Sequence, residues 1–290
     1  MSTKIPTYKI SVFFFVAYMC FAQNTYSQDE SSKAHFQSQI FMYKDTYLLR
    51  EPIWIKLTTT NVSVDTQEAS LSGLTGMVIT SDVGNTYRSH VHSGSYIKYP
   101  AFVPYTYDFD LLNYYGEKEC KIHVRYYLPP GKYEIYHQVL SNVRSNTLNF
   151  EVLEPTGDEL EAMRMLKEGY ELTYVQKKHA SSIKQFKKIV DKFPNSIYAP
   201  LALRQQALRY NHSLKNKREA ISTYRKIVTE YPTSRMAIEV IGNIEVLYMN
   251  LKDREGCEKE LQSLIKKYPN TEISKEAEDR LRKLDPKDFE

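Results

Sequence analysis

The strongest constraint on this chain is an amphipathic pattern that returns three times in its second half. The first copy runs Ile183-Lys184-Gln185-Phe186-Lys187-Lys188-Ile189-Val190-Asp191-Lys192-Phe193-Pro194-Asn195-Ser196. The second is Ile221-Ser222-Thr223-Tyr224-Arg225-Lys226-Ile227-Val228-Thr229-Glu230-Tyr231-Pro232-Thr233-Ser234, and the third leads from Leu261 through Leu264 and Ile265 to Tyr268-Pro269-Asn270-Thr271. The aromatic–proline pair falls at 193, 231 and 268, spacings of 38 and 37 residues. A fixed period in this range marks helix pairs that stack on one another, because no single pair can bury its own apolar face.

Each part of the pattern has a physical task. Ile221, Tyr224, Ile227 and Val228 lie on one face of a helix and form its apolar stripe. The aromatic closes the last turn, and the proline behind it, lacking an N–H, ends the helix. The Ser or Thr that follows is placed to cap the next helix. Small residues recur where that next helix must approach a neighbour: Ala199, Ala237 and Ser274, then Ala202, Val240 and Ala277. Ala277, Leu281 and Leu284 predict a final helix that hides the last apolar face.

Glu219-Ala220-Ile221 through Tyr231-Pro232-Thr233-Ser234 to Ala237 resembles the tetratricopeptide family, in the version found in periplasmic envelope proteins. The resemblance covers about residues 160 to 284 and implies an α-solenoid of about three helix pairs. Two departures stand out: the period exceeds the usual 34, and the large aromatic expected early in the first helix of a pair is missing. Arrays of this family bind partners on the concave face lined by the first helix of each pair. The resemblance therefore implies a protein or peptide partner, with Arg204, Asn211 and Asn250 as candidate contacts.

The first half has a different period. From about 34 to 154 the apolar residues alternate in short β-rich runs: Ile53 to Leu57, Gly76 to Thr80, Cys120 to Val124, Tyr133 to Tyr136 and Leu148 to Val152. Pro129-Pro130-Gly131 feeds one of these runs through a turn. Seven or so short strands without a helix point to a β-sandwich. Glu51-Pro52-Ile53, Pro130-Gly131-Lys132-Tyr133 and Ser145-Asn146 through Phe150-Glu151-Val152 resemble an immunoglobulin-like domain of bacterial surface proteins, which implies a fold and not an activity. Between these cues lies an aromatic-rich segment, Tyr96 to Tyr115, that is either a binding surface or packed interior.

Charge divides the same way. Residues 23 to 157 hold 11 basic and 14 acidic side chains, and residues 158 to 290 hold 26 and 21. Glu154-Pro155-Thr156-Gly157-Asp158 punctuates the change, with Thr156 or Asp158 as the cap of the first helix. The expected organisation is a segment 1–22, a sandwich 34–154 and helical repeats 158–285. A net charge of +4 does not point to nucleic acid.

Lys4 and Lys9, the apolar run Ile10 to Phe21 and the Cys20-Phe21-Ala22 ending predict a signal peptide cleaved before Gln23. The run is too short for an ordinary spanning helix. Tyr18 and Met19 break the pattern that precedes an acylated Cys, so membrane association is not expected unless this terminus is retained or acylated. The mature chain keeps Cys120 and Cys257, read as buried thiols instead of a disulfide framework.

The motifs of catalysis are missing. There is no Walker loop, dinucleotide fingerprint, Gly-x-Ser-x-Gly or His-Glu-x-x-His. His90 and His92 could share a strand face, with His123 and His137 elsewhere, but no cysteine cluster joins them. Ser181-x-x-Lys184 falls on the solvated side of a repeat helix. The expectation is an exported, non-catalytic binding or scaffolding protein without metal or cofactor. The rival from another class is a peptidase inhibitor or carbohydrate-binding module acting through the sandwich.

Overall fold

The computed structural model describes residues 36–62, 67–70, 76–89, 96–99, 104–110, 128–139 and 143–289. The segment read as a signal peptide, His90, His92, Phe102, Tyr114, Tyr115, Cys120 and His123 lie outside the described residues. Strands occupy the first half: β1 (Phe36–Met42), β2 (Thr46–Leu48), β3 (Trp54–Asn61), β4 (Gln67–Ser70), β5 (Gly76–Ser81), β6 (Thr86–Ser89), β7 (Tyr96–Tyr99), β8 (Pro104–Asp110), β9 (Gly131–Val139), β10 (Val143–Arg144) and β11 (Leu148–Leu153). Helices follow: α1 (Gly157–Tyr170) with a π-helical turn (Glu171–Val175), α2 (His179–Lys192), α3 (Tyr198–His212), α4 (Lys217–Glu230), α5 (Arg235–Leu251), α6 (Arg254–Lys267) and α7 (Glu272–Lys283). The described residues form two compact units, divided between Val240 and Ile241 within α5.

In the first unit, β1-β3-β8 form one antiparallel sheet and β2-β11-β9-β5-β6 form another, with β10 beside β9 and a separate β4-β7 pair. Only β2 runs parallel to its partner, β11, among the described strands. Alternation explains the core. Ile40 of β1 and Ile55 and Leu57 of β3 join Met77, Ile79, Tyr133, Ile135, Phe150 and Val152 of the second sheet in one apolar cluster. The register sets positions 105, 107 and 109 of β8 opposite Thr59, Leu57 and Ile55, which are buried.

Polar contacts lock the two sheets. Ser38 Oγ lies 2.7 Å from His137 Nδ1, and both residues are buried. Asn146 accepts from the Ile40 amide at 2.8 Å and donates to the Ile40 carbonyl at 3.0 Å, satisfying the open edge of β1. Tyr133 donates its hydroxyl to the Pro129 carbonyl at 2.5 Å, which fixes the turn entering β9.

The strands end at Leu153 and α1 begins at Gly157. Thr156 occupies the N-cap, but neither it nor Asp158 supplies the expected side-chain cap: Thr156 makes no cap hydrogen bond, and the helix opens on Gly157 at φ +54°. The β-rich and helical parts of this unit touch. Tyr198, fully buried at the start of α3, donates its hydroxyl to the Leu49 carbonyl at 2.5 Å.

The repeat helices end as their pattern requires. The amides of Phe193, Tyr231 and Tyr268 donate to the carbonyls of Ile189, Ile227 and Leu264 at 2.8, 3.0 and 3.0 Å, and each aromatic is followed by proline. The next helix is then started by a hydroxyl. Ser196 accepts from the Tyr198 amide at 3.1 Å, and Ser234 from Met236 at 3.3 Å. Thr271 and Ser274 form a reciprocal capping box at α7.

The second unit contains the remainder of α5 with α6 and α7. Ile244, Leu247, Tyr248, Cys257, Leu261, Leu264, Ile273 and Ala277 are buried. Cys257 is a free thiol whose pKa burial pushes up to about 12. Arg280 of α7 holds Glu245 of α5 at 2.5 Å and Glu276 of its own helix at 2.6 Å. A Cβ at Gly242 would come within 2.5 Å of the Arg280 guanidinium, so glycine there makes room for this network.

Candidate functional site

The candidate residues lie on α3 and on α5, the first helices of the pairs α3–α4 and α5–α6. α3 is unlike an ordinary surface helix. Every residue from Tyr198 to Leu208 is buried, including Arg204, Gln205 and Gln206. Leu201, Ala202, Leu203, Ala207 and Leu208 supply apolar groups all round, so the helix has no solvated face until its last turn.

Arg204 is therefore an internal residue. It is 7% exposed, and its guanidinium holds Glu239 of α5 at 2.7 Å. Tyr224 of α4 lies beside this pair, its pKa raised chiefly by burial, with Arg204 and Glu239 acting in opposite directions. The expected partner contact at Arg204 is thus replaced by a tie between α3 and α5. Removing either partner of such a partly buried pair would leave an uncompensated charge inside the protein.

Asn211 is half-buried in the last turn of α3. Asn250 is exposed and donates to the Val246 carbonyl of its own helix at 2.8 Å. Arg204 and Asn211 belong to the first compact unit and Asn250 to the second.

Two features of this region go beyond the sequence reading. The Gln205 amide is wholly buried, and neither its nitrogen nor its oxygen has a hydrogen-bond partner among the described residues. One turn later, Arg209 stacks over the Tyr174 ring at 5.4 Å, joining the π-helical turn to α3. The apolar residues on both sides of Gln205-Gln206 were the available signal that these amides face the interior.

Among the described residues, no group of three His, Cys, Asp or Glu side chains is placed to hold a metal ion. His137 is fully buried between the sheets, and burial lowers its pKa to about 4. Ser181 and Lys184 are both exposed on α2. No helix among the described residues is long and apolar enough to cross a membrane.

The tetratricopeptide repeat family model matches residues 201–234 and 246–271. The first stretch covers α3 and α4, and the second covers the end of α5 with α6. The chain thus carries tetratricopeptide repeats in its helical half. No curated protein matches it. Among solved structures, β-glucosidase from Listeria innocua in complex with glucose is 13% identical, over 41% of this chain and 16% of its own, with a TM-score of 0.28. Alkylpurine DNA glycosylase AlkC from Pseudomonas fluorescens, bound to DNA containing an abasic site analog, is 13% identical over 42% and 31%, with a TM-score of 0.29. Spo0M, a sporulation control protein from Bacillus subtilis, is 8% identical over 47% and 56%, at 0.24. The chain spans less than two thirds of each of these proteins, and likenesses this loose carry no argument.

Proposed function

We propose that this chain is an exported, non-catalytic protein-binding or scaffolding protein of the bacterial cell envelope, its partner held by the helical repeat array. The observation that carries the reading is the pair of tetratricopeptide matches, each falling on a helical hairpin. Stacked hairpins of this kind offer an extended surface to a peptide or protein segment. The basic n-region, apolar run and small-residue ending of residues 1–22 support export.

The β-rich part is read as an immunoglobulin-like domain that positions the array. Three features support this. The order β11-β9-β5-β6 beside β1-β3-β8 matches the G-F-C-C′ and A-B-E sheets of that fold. The chain's first strands switch from one sheet at β1 to the other at β2. The Tyr133 hydroxyl reaches back four residues to a backbone carbonyl, as in a tyrosine corner.

Affinity capture from an envelope extract, with the full chain as bait, tests the partner reading. One protein should be retained specifically, and Asn211→Arg on the open end of α3 should reduce its capture severalfold. Capture of nothing above background, or capture indifferent to the helical half, would refute it. N-terminal sequencing of native protein should begin at or near Gln23.

A further inference from the structure

We propose that the tips of two neighbouring helical hairpins, residues 175–179 and 212–218, form a basic, apolar-tipped rim that docks on an anionic lipid bilayer. This goes beyond the partner reading, which neither outcome of its test touches, and departs from the expectation that only a retained or acylated N-terminus would meet a membrane. The described helical half leaves two large apolar side chains strongly exposed, Val175 at 74% and Leu214 at 47%. Val175 stands two residues before, and Leu214 one residue before, a residue in the left-handed conformation.

That residue is lysine in both cases. Lys177 and Lys215 have φ of +57° and +56° and are 38 residues apart, the period of the repeat. Lys252 adopts the same conformation at the equivalent position in the other unit. Glycine or asparagine fills such a position at lower cost, so backbone geometry does not account for lysine there.

The charge around both tips has one predominant sign. Lys177, Lys178 and His179 lead into α2, whose first turn has no acidic residue. Lys215, Lys217 and Arg218 follow one another at the second tip, with Glu219 as its acidic residue. Lys177, Lys178 and Lys215 are exposed, and none of the three enters an ion pair among the described residues. Arg209 of α3, three residues before the second tip, stacks over Tyr174 just before the first. Burial keeps the pKa of His179 below the usual imidazole range, followed by Arg209 and Lys177; burial does the same to His212, followed by Arg209 and Lys215.

The arrangement of apolar and charged groups selects the occupant. A peptide held by apolar contacts needs a groove, whereas Val175 ends the π-helical turn and Leu214 lies between α3 and α4, both exposed. A planar interface meets both tips at once, taking the apolar groups at the headgroup boundary while the lysines face anionic headgroups. Electrostatic attraction of this kind acts within a Debye length and weakens in salt.

Flotation of the full chain with vesicles provides the test, using phosphatidylcholine alone and phosphatidylcholine mixed with phosphatidylglycerol. The chain should float with the mixed vesicles in a salt-sensitive manner. Lys177→Glu/Lys178→Glu/Lys215→Glu should weaken that binding at least tenfold. Val175→Ser/Leu214→Ser, which leaves the charge unchanged, should weaken it severalfold. The apolar run Ile10 to Phe21 is present in every variant and so cannot produce these differences. Circular dichroism melts verify that both variants fold, as substitutions at exposed positions should allow. No preference for mixed vesicles, or variants that float like the parent, would overturn the proposal. So would binding to soluble polyglutamate without vesicle binding, which would identify an acidic macromolecule as the occupant.

Discussion

A Cβ atom at Gly169 would lie 2.3 Å from the ring of Phe186, so these two residues set how closely α1 and α2 pack. Phe186 is fully buried and also meets Tyr170 edge-on at 5.9 Å, so its ring has little room to retreat. Gly169→Ala is expected to destabilise the protein by about 2 kcal/mol, in the range of core overpacking. Helix propensity alone predicts a gain of about 1 kcal/mol, so a urea melt distinguishes the two by sign. Phe186→Leu in the Gly169→Ala background should recover part of the loss.

Ala220 is fully buried in α4, whereas Lys226 on the same helix is exposed. Ala220→Leu should lower the melting temperature by overpacking, at a cost of about 1–3 kcal/mol. Lys226→Leu should change it little. Equal melting temperatures would mean that the buried face of α4 is wrongly assigned. Neighbouring hairpins of one unit stabilise one another, so the damage at Ala220 should spread to the pair α1–α2.

The repeat helices could be read from sequence because their signals are local. An aromatic followed by proline ends each of α2, α4 and α6, and a hydroxyl residue begins the next helix. Strands β3, β5, β9 and β11 were visible for a related reason, since alternation is a local property of a half-buried strand. The cap at Thr156 failed despite the right residue type, because Gly157 takes a left-handed conformation at the helix start. Arg204 was misplaced because arginine usually lies at the surface. The apolar groups surrounding it on every side of α3 carried the opposite message.

The bond from Tyr198 to Leu49 spans 149 residues of sequence and has no local signature. It couples the β-rich part to the first hairpins, and burial raises the tyrosine's pKa. Tyr198→Phe keeps the ring and removes the hydroxyl that satisfies the Leu49 carbonyl. It should cost about 0.5–1.5 kcal/mol. Hydrogen exchange at residues 48–51 should accelerate in the same variant. Unchanged exchange there would show that the contact does not hold the two parts together.

His137 makes stability depend on pH in a direction fixed by its burial. The ring is fully buried, its Nδ1 lies 2.7 Å from Ser38 Oγ, and its pKa falls from 6.5 to about 4. The unfolded chain takes up this proton at higher pH than the folded chain, so stability must fall as pH drops from about 6.5 toward about 4. The full linkage is about 3 kcal/mol, of which about 2 kcal/mol is lost by pH 5. His137→Gln removes the titrating group and retains hydrogen-bonding capacity near Ser38. The variant is expected to be less stable than the parent at pH 7, because the core is repacked around a different shape. Its additional loss between pH 7 and pH 5 should nevertheless be about 2 kcal/mol smaller than the parent's. Urea melts of both proteins at the two pH values measure this difference directly. Equal losses would mean that the buried imidazole does not set the acid sensitivity of the sheets it joins.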